Sequence, residues 1–358
     1  MTLSFIISPM KSALLIPIYE PTAKVLPFLS QFKEGEFDFF LVVDDGSGKE
    51  FAPIFNDIAS QTVFSVLSYP HNQGKGRALK EGIRKLLEEH NDLDFIVTAD
   101  GDGQHAKEDI IRVKEKASQT PNTLILGSRV FENAPKKSQT GNYWVAKYYH
   151  IATHRHLSDT QTGLRAIPSC LFEEALVCHG ERFEYEMNFL KDAAFLSPIE
   201  ELPIQTIYED DNKGTHYRAF KDSMRIMAPS MSYLLSGILA GIVLFVSYLL
   251  LLVAKPQIDL WPATLAVDAF VAILLYLFRN YVVYHHEGFH PISLLKGAAL
   301  FAVTSLLKFS FLAFIFYSGA SFSPLGATWI IFGFTALIGI FKFFFAFAWI
   351  YHPTASGK

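Results

Sequence analysis

The N-terminal part of the chain alternates short apolar runs with longer stretches in which apolar residues recur at helical spacing. Short runs rich in β-branched and aromatic residues predict strands, and the stretches between them predict helices. The predicted strands lie in 13–19, 39–47, 62–69, 94–100 and 123–129, and the clearest predicted helices are 22–32 and 75–90. Strands separated by helices indicate an α/β domain with a doubly wound, mostly parallel sheet.

The last third of the chain has a different pattern, with long apolar segments and almost no charge. Each segment is longer than the ~20 mostly apolar residues that a transmembrane helix needs. A large soluble helical core is the alternative, but its surface helices would carry polar faces, which these segments lack. We therefore predict an α/β domain over 1–226, ending in a juxtamembrane helix, and an all-α membrane domain over 227–358. Its four predicted helices are 231–254, 262–284, 294–317 and 325–351.

Lysine and arginine are distributed unevenly between the loops that join these segments. If the α/β domain is cytoplasmic, most of these residues flank the membrane on the cytoplasmic side, as the positive-inside rule requires. The pattern predicts a multi-pass integral membrane protein with a cytoplasmic α/β domain, in the cytoplasmic membrane if the source is bacterial. The cytoplasmic residues are Lys221, Arg225, Arg279, Lys296 and Lys358, and the outer loops carry Lys255.

Net charge and cysteine content argue against a nucleic-acid-binding protein and against a disulfide-stabilised scaffold. A formal net charge of −4 gives no case for nucleic acid binding. Cys170 and Cys178 are the two cysteines, too few for a disulfide scaffold and typical of a reduced, cytosolic domain.

Polar residues follow three of the predicted strands at the point where each strand ends. These groups are Tyr19-Glu20, Asp44-Asp45 and Asp100-Gly101-Asp102. Ligands of open α/β sheets bind beyond the carboxyl ends of the strands. We therefore expect the three groups to lie at one edge of the sheet and to form the binding site.

The acidic sequence after the fourth strand is suited to a metal–diphosphate. Carboxylates of Asp100 and Asp102 with the Gln104 side-chain oxygen are the hard ligands that Mg²⁺ or Mn²⁺ prefers, and Gly101 permits close approach of the backbone. A solvated acidic turn is the alternative. Asp45 is a candidate for hydrogen bonding to a base or ribose, or else an ordinary turn residue. Lys75, at a helix start, is equally consistent with anion binding and with solvation.

Seven sequence blocks occur in the order and spacing of a known family. They are "IPIYEP", "VVDDGS", "NQGKGRA", "DGDGQH", "GSR", "DTQTGLRA" and "RFEYEMNF". Residues 12–226 resemble family 2 glycosyltransferases with a GT-A fold, and most of all the polyprenyl-phosphate sugar transferases, similar to dolichyl-phosphate mannose synthases. The apolar remainder is similar to the GtrA family in its four predicted helices and in "LFRNYVVY" at 277–284.

The resemblance implies roles for individual residues. It implies metal binding by Asp100 and Asp102, which form the D-x-D motif of the family with Gly101 between them, and by Gln104. It also implies phosphate binding by Arg129 and a place near the acceptor for Arg165. The nucleotide-sugar pocket is implied to include Pro17, Tyr19, Glu20, Val43, Asp45, Lys75, Asp100, Gly101, Lys213 and Arg218, with His216 as a further candidate in "NKGTHYR". Two departures concern this pocket: Tyr19-Glu20-Pro21 stands where the family often has Tyr-Asn-Glu, and "NKGTHYR" differs from the mannose synthase motif.

Together these observations predict a metal-dependent, inverting hexosyl- or N-acetylhexosaminyltransferase. It would move a sugar from a UDP- or GDP-linked donor to a polyprenyl phosphate, undecaprenyl phosphate in bacteria, for modification of cell-envelope glycans. One alternative is a hydroxyl acceptor with Glu184 or Glu186 as base, and another is a lipid-linked sugar flippase. A processive synthase is disfavoured because the chain lacks its Q-x-x-R-W block. The sugar, the lipid length and the formation of a homo-oligomer stay open.

Overall fold

The computed structural model describes residues 10–129 and 155–205 without a break. It also describes 142–143, 145–147, 149–150 and 153, and, in the last third, 302–308 with scattered positions between 242 and 338. The chain divides into two compact units, one built on Met1–Ile226 with Ala355–Lys358 and the other on Met227–Thr354.

The described part of the first unit alternates strands and helices, as predicted. Its strands are β1 (Ser12–Ile18), β2 (Phe39–Asp44), β3 (Ser65–Ser68), β4 (Phe95–Thr98), β5 (Leu124–Arg129), β6 (Arg165–Pro168) and β7 (Ile199–Ile204). Its helices are α1 (Val25–Leu29), α2 (Ala52–Gln61), α3 (Lys75–Glu89), α4 (Lys107–Gln119), α5 (Phe172–Val177) and α6 (Glu184–Leu196), with a 3₁₀ turn at Ser169–Leu171. The pattern located β1 to β5 and α3 within a few residues, but it missed β6 and β7.

The strands form one seven-stranded sheet in the order β3-β2-β1-β4-β6-β5-β7. Strand β6 runs antiparallel to both neighbours, while the other pairs are parallel. The prediction of a mixed α/β architecture with a mostly parallel sheet is therefore confirmed. In the register, Ile18 pairs with Asp44 and Leu15 with Thr98, so β1, β2 and β4 end close together.

Both faces of the sheet are covered, which explains why all seven residues of β1 are buried. Side chains alternate between the two faces of a strand. Ala13 and Leu15 belong to a core with α3 and α6, whereas Leu14 and Ile16 belong to a second core with α1, α2 and α4. Helices on both faces are the doubly wound arrangement, and they leave the ends of the strands open for a site.

In the second unit, residues 302–308 form a helix with an unusual distribution of side chains. Its polar side chains, Thr304, Ser305 and Lys308, are buried. Its large apolar side chains, Val303, Leu306 and Leu307, are at least half exposed. Within the described residues, no helix has both the length and the hydropathy needed to cross a membrane. The four predicted membrane segments lie mostly outside those residues.

Candidate functional site

The residues that follow β1, β2 and β4 meet at one edge of the sheet, as predicted. The Asp45 amide donates to the Ile18 carbonyl at 2.8 Å, and the Glu20 amide donates to Ser47 Oγ at 2.9 Å, so the loops after β1 and β2 are joined. Gly101 is in contact with the end of β1, because a Cβ there would lie 2.7 Å from Ile18 Cγ1. The glycine therefore lets the acidic loop lie against β1.

Asp45 holds the loop that leads into α3. Its buried carboxylate accepts hydrogen bonds from the Tyr69 hydroxyl at 2.6 Å, Asn72 Nδ2 at 2.9 Å, and the Gln73 and Gly74 amides at 2.9 Å each. Burial, reinforced by the hydrogen bond to Asp45, raises the pKa of the Tyr69 phenol far above its usual value. Asp45 thus organises the glycine-containing loop, and base or ribose binding by this residue stays a prediction.

Lys75 lies between two carboxylates that belong to different parts of the chain. Its ammonium is 2.5 Å from Asp100 Oδ1 and 3.0 Å from Glu186 Oε2, and its side chain is only 18% exposed. Burial by itself lowers the pKa of Lys75, but the two carboxylates outweigh burial and raise it well above the usual value. Lys75 is therefore a charged, partly buried side chain that is paired with two carboxylates and not freely solvated.

Asp100 is contacted by charged or polar side chains on both of its carboxylate oxygens. Besides the Lys75 contact, His105 Nε2 lies 3.2 Å from Asp100 Oδ2. Burial opposes ionisation, yet the Lys75 and His105 contacts hold the pKa of the Asp100 carboxyl well below its usual range. Gly163 gives this carboxylate its space, because a Cβ there would lie 2.3 Å from Asp100 Oδ1.

Asp102 is the acidic residue of this loop that best fits a metal ligand. Its Oδ1 accepts a hydrogen bond from the Gln104 amide at 3.1 Å. Burial and the neighbouring Asp100 charge raise the pKa of the Asp102 carboxyl, so a nearby cation would relieve the repulsion. With the Gln104 side-chain oxygen, this donor set suits Mg²⁺ or Mn²⁺. The described residues hold no ready-made cluster of three or more His, Cys, Asp or Glu ligands.

Arg129 and Asp159 form a bidentate pair at the end of β5. Arg129 Nε donates to Asp159 Oδ2 at 2.6 Å, and an Arg129 terminal nitrogen donates to Asp159 Oδ1 at 3.0 Å. Asp159 is fully buried, while the Arg129 side chain is 25% exposed. The pair fixes the direction of the guanidinium, and phosphate binding by Arg129 stays a prediction.

Arg165 is buried and donates to backbone carbonyls. Its hydrogen bonds reach the carbonyl oxygens of Glu186 at 2.7 Å, Thr162 at 2.9 Å and Thr160 at 3.5 Å. The side chain is 2% exposed. Arg165 therefore ties the loop before β6 to the start of α6, and its place near the acceptor stays a prediction.

The structure describes some of the remaining predicted site residues and does not describe three others. Pro17 and Val43 pair in neighbouring strands. A hydrogen bond with Glu20 is the main cause that raises the pKa of the Tyr19 phenol. Glu184 Oε1 accepts from the amides of Glu181 and Arg182, at 3.3 and 3.2 Å. Lys213, His216 and Arg218 lie outside the described residues.

Two residues of this site, His105 and Gly163, were missed as functional candidates by sequence reasoning. Glu186 was a candidate base, with a helix face or the orientation of other residues as its alternative role, and the structure pairs it with Lys75. The sequence signal for Gly163 was its block, "DTQTGLRA", and that for His105 was its place at the end of "DGDGQH", three residues after Asp102. Neither block indicates by itself which side chain it contacts.

Comparison with known proteins agrees with the sequence motifs. Residues 15–174 match the sequence model of Glycosyl transferase family 2. The UDP-N-acetylglucosamine–dolichyl-phosphate N-acetylglucosaminyltransferase of Methanococcus voltae is 27% identical over 246 residues, which cover 62% of this chain and 97% of that protein. An uncharacterised protein of Methanocaldococcus jannaschii is 27% identical over 205 residues, which cover 54% of this chain and 81% of that protein.

A solved structure with a similar arrangement is glucosyl-3-phosphoglycerate synthase from Mycobacterium tuberculosis, in complex with Mn²⁺, UDP and glucosyl-3-phosphoglycerate. It is 17% identical, covers 62% of this chain and 79% of its own, and gives a TM-score of 0.47. The family match and the relatives support a glycosyltransferase family 2 domain in the first unit. The similarity of the second unit to the GtrA family stays a prediction.

Proposed function

We propose that this chain, with its glycosyltransferase family 2 domain, is a membrane-bound inverting enzyme that transfers a sugar from a nucleotide diphosphate to a polyprenyl phosphate. In a bacterium the acceptor would be undecaprenyl phosphate and the product would serve modification of cell-envelope glycans. The α/β domain would work on the cytoplasmic side, with Mg²⁺ or Mn²⁺ bound.

The observation that carries this proposal is the gathering of Asp45, Asp100 and Asp102 at the carboxyl edge of β1, β2 and β4. In a metal–diphosphate, the cation would offset the negative charges of Asp100 and Asp102, and the phosphate oxygens would complete the coordination shell of the cation. Asp102 and Gln104 would hold the cation, which would supply positive charge to stabilise the leaving nucleoside diphosphate. Asp100, enclosed by Lys75 and His105, would position this loop.

A polyprenyl-phosphate acceptor would not require the protein to supply a strong general base. A phosphate monoester has a second pKa of ~6 and is an oxyanion at neutral pH, so it attacks without a strong base. Glu186, one of the two candidate bases, pairs with Lys75. Glu184 Oε1 accepts hydrogen bonds from two backbone amides, whereas Glu184 Oε2 is buried without a hydrogen-bond partner among the described residues. The ion pair of Glu186 favours a phosphate acceptor over a hydroxyl, and substitution of Glu184 tests the other candidate. The name of the Methanococcus relative, which this chain matches over nearly its full length, supports the same choice.

The helix at 302–308 supports a membrane location for the second unit. In water, burial of apolar side chains and exposure of polar ones stabilise a helix. This helix has the opposite distribution, with Lys308 3% exposed and Leu306 68% exposed. Polar groups that face the interior and apolar groups that face outward are typical of helices surrounded by lipid.

Substitution of Glu184 tests the choice of acceptor. We expect Glu184→Gln to retain most of the transfer rate, and Glu186→Gln to lose less than about tenfold, because loss of a true general base reduces rates by ~10²–10⁴-fold. Initial rates with saturating donor would be measured for each variant. A folded but inactive glutamine variant would make a hydroxyl acceptor the better interpretation.

The direct test of the function is a product assay. Membranes containing the chain would be incubated with a panel of radiolabelled UDP- and GDP-sugars, with and without polyprenyl phosphate, and the lipid product identified. We expect label in a polyprenyl-phosphate sugar with one donor of the panel. If the chain moves a supplied lipid-linked sugar across vesicles but makes none, the flippase alternative replaces this proposal.

Cys170 offers a test of orientation, because it is exposed whereas Cys178 is buried. A membrane-impermeant maleimide should label Cys170 in inverted membrane vesicles but not in intact cells. The Cys170→Ser variant is the control for labelling at this site. Labelling of Cys170 in intact cells would place the α/β domain outside, and extraction of the chain by alkaline carbonate would exclude integral insertion.

A further inference from the structure

Lys75 is a partly buried charged group at this site to which the proposed reaction assigns no chemical step. Its ammonium contacts Asp100 at 2.5 Å and Glu186 at 3.0 Å, and thereby joins the acidic loop after β4 to the first turn of α6. Asp102, the best-fitting metal ligand, lies two residues from one of these partners. A fixed positive charge thus sits within the acidic group that would receive the cation.

The glycines on either side of Lys75 explain how it reaches this position. Gly74 has a φ of +108°, and a Cβ there would lie 2.4 Å from the Glu181 carbonyl oxygen. A Cβ at Gly76 would lie 2.5 Å from Tyr185 Cβ. The start of α3 therefore packs directly against the start of α6, which places the Lys75 side chain between Asp100 and Glu186. Larger residues at either glycine would separate the two helices.

We propose that Lys75 is a built-in counter-ion that holds Asp100 and Glu186 in place before the donor binds and keeps the affinity for a bare divalent cation low. This inference rests on the proposed function. Asp100, Asp102 and Glu186 carry three negative charges, and Lys75 offsets one of them at short range. Its ammonium also repels an approaching divalent cation. A nucleoside diphosphate brings negative charge that reverses this balance, so the cation enters together with the diphosphate.

The test is Mn²⁺ binding to the purified full-length chain, measured by calorimetry without nucleotide and then with UDP, and independent of any transfer. We expect Lys75→Met to bind bare Mn²⁺ at least about tenfold more tightly than the unmodified chain, because one nearby positive charge is removed. The enhancement by UDP should shrink in this variant. Lys75→Arg, which keeps the charge, should behave like the unmodified chain.

Two further variants separate charge from packing. Glu186→Gln removes a negative charge from the same cluster, so we expect it to weaken binding of bare Mn²⁺, opposite to Lys75→Met. A general disturbance of packing would shift both variants in the same direction. Lys85→Met is the matched control, because Lys85 lies on the same helix and pairs with Glu89 at the surface. It should leave Mn²⁺ binding unchanged.

The outcomes distinguish this inference from the proposed function. If Asp102→Asn abolishes Mn²⁺ binding but Lys75→Met does not tighten it, the counter-ion role is wrong and the metal role of Asp102 stands. The counter-ion role is equally wrong if Glu186→Gln and Lys75→Met shift Mn²⁺ binding in the same direction. If neither the unmodified chain nor any variant binds Mn²⁺ even with UDP, both the metal-dependent reaction and the role of Lys75 are wrong.

Discussion

Replacement of Asp102 by alanine is expected to reduce sugar transfer by at least about 10³-fold, because a metal at a developing charge contributes several kcal/mol to the transition state. The same change should leave the stability of the domain within about 0.5 kcal/mol of the unmodified value, or raise it. The Asp102 carboxylate accepts one backbone hydrogen bond, and burial together with the charge of Asp100 raises its pKa, so its ionised form is disfavoured in the folded state. Transfer rates and urea unfolding midpoints of the same preparations would show both effects.

Asp92→Ala is the matched control for this experiment. Asp92 precedes β4, whereas Asp102 follows it, so the two aspartates lie toward opposite ends of the same strand. Asp92 is 54% exposed and pairs with Lys11 at the surface. Its loss should change neither rate nor stability appreciably, since exposed ion pairs contribute little. Full transfer by Asp102→Ala, or by the unmodified chain in EDTA, would eliminate the metal role.

The sheet was predictable where each strand carries its own signal. Strands β1, β2 and β4 are apolar because both of their faces are covered, and their ends were marked by acidic residues. Strand β6 has four residues, begins with Arg165 and ends at Pro168, so it carries no recognisable period. Strand β7 contains Pro203 and is largely half-exposed, as an edge strand is. These two strands form through pairing with β4 and β5 and not through their own composition.

The site was predictable as a location but not as a set of contacts. Strand ends placed Asp45 and Asp100 at one edge, because carboxyl ends of parallel strands meet there. The pairing of Lys75 with Asp100 and Glu186 depends on the packing of α3 against α6. That packing is determined by Gly74 and Gly76 and is not visible in the hydrophobic pattern. Lys75 was therefore ambiguous between anion binding and solvation, although the structure pairs it with two carboxylates.

Arg165→Ala is expected to destabilise the α/β domain by about 3 kcal/mol or more. Arg165 donates to three backbone carbonyls, and each buried acceptor that loses its donor costs about 1–3 kcal/mol. Because one of these carbonyls belongs to Glu186, the loss should also loosen the start of α6 and, through Lys75, the acidic loop. Transfer should fall with the folded fraction, and urea unfolding of the full-length chain, followed by proteolysis of this domain, would measure the change.

Arg155→Ala is the control, since Arg155 is exposed and, among the described residues, its side chain donates one long hydrogen bond, to the Ser197 carbonyl at 3.4 Å. Its unfolding midpoint should stay close to that of the unmodified chain. The sequence resemblance implied a place for Arg165 near the acceptor, and the two roles lead to different results. If Arg165→Ala is as stable as the unmodified chain but cannot transfer sugar, the arginine acts on the acceptor directly. A loss of stability in proportion to the loss of transfer identifies it as the residue that fixes the loop before β6 to α6.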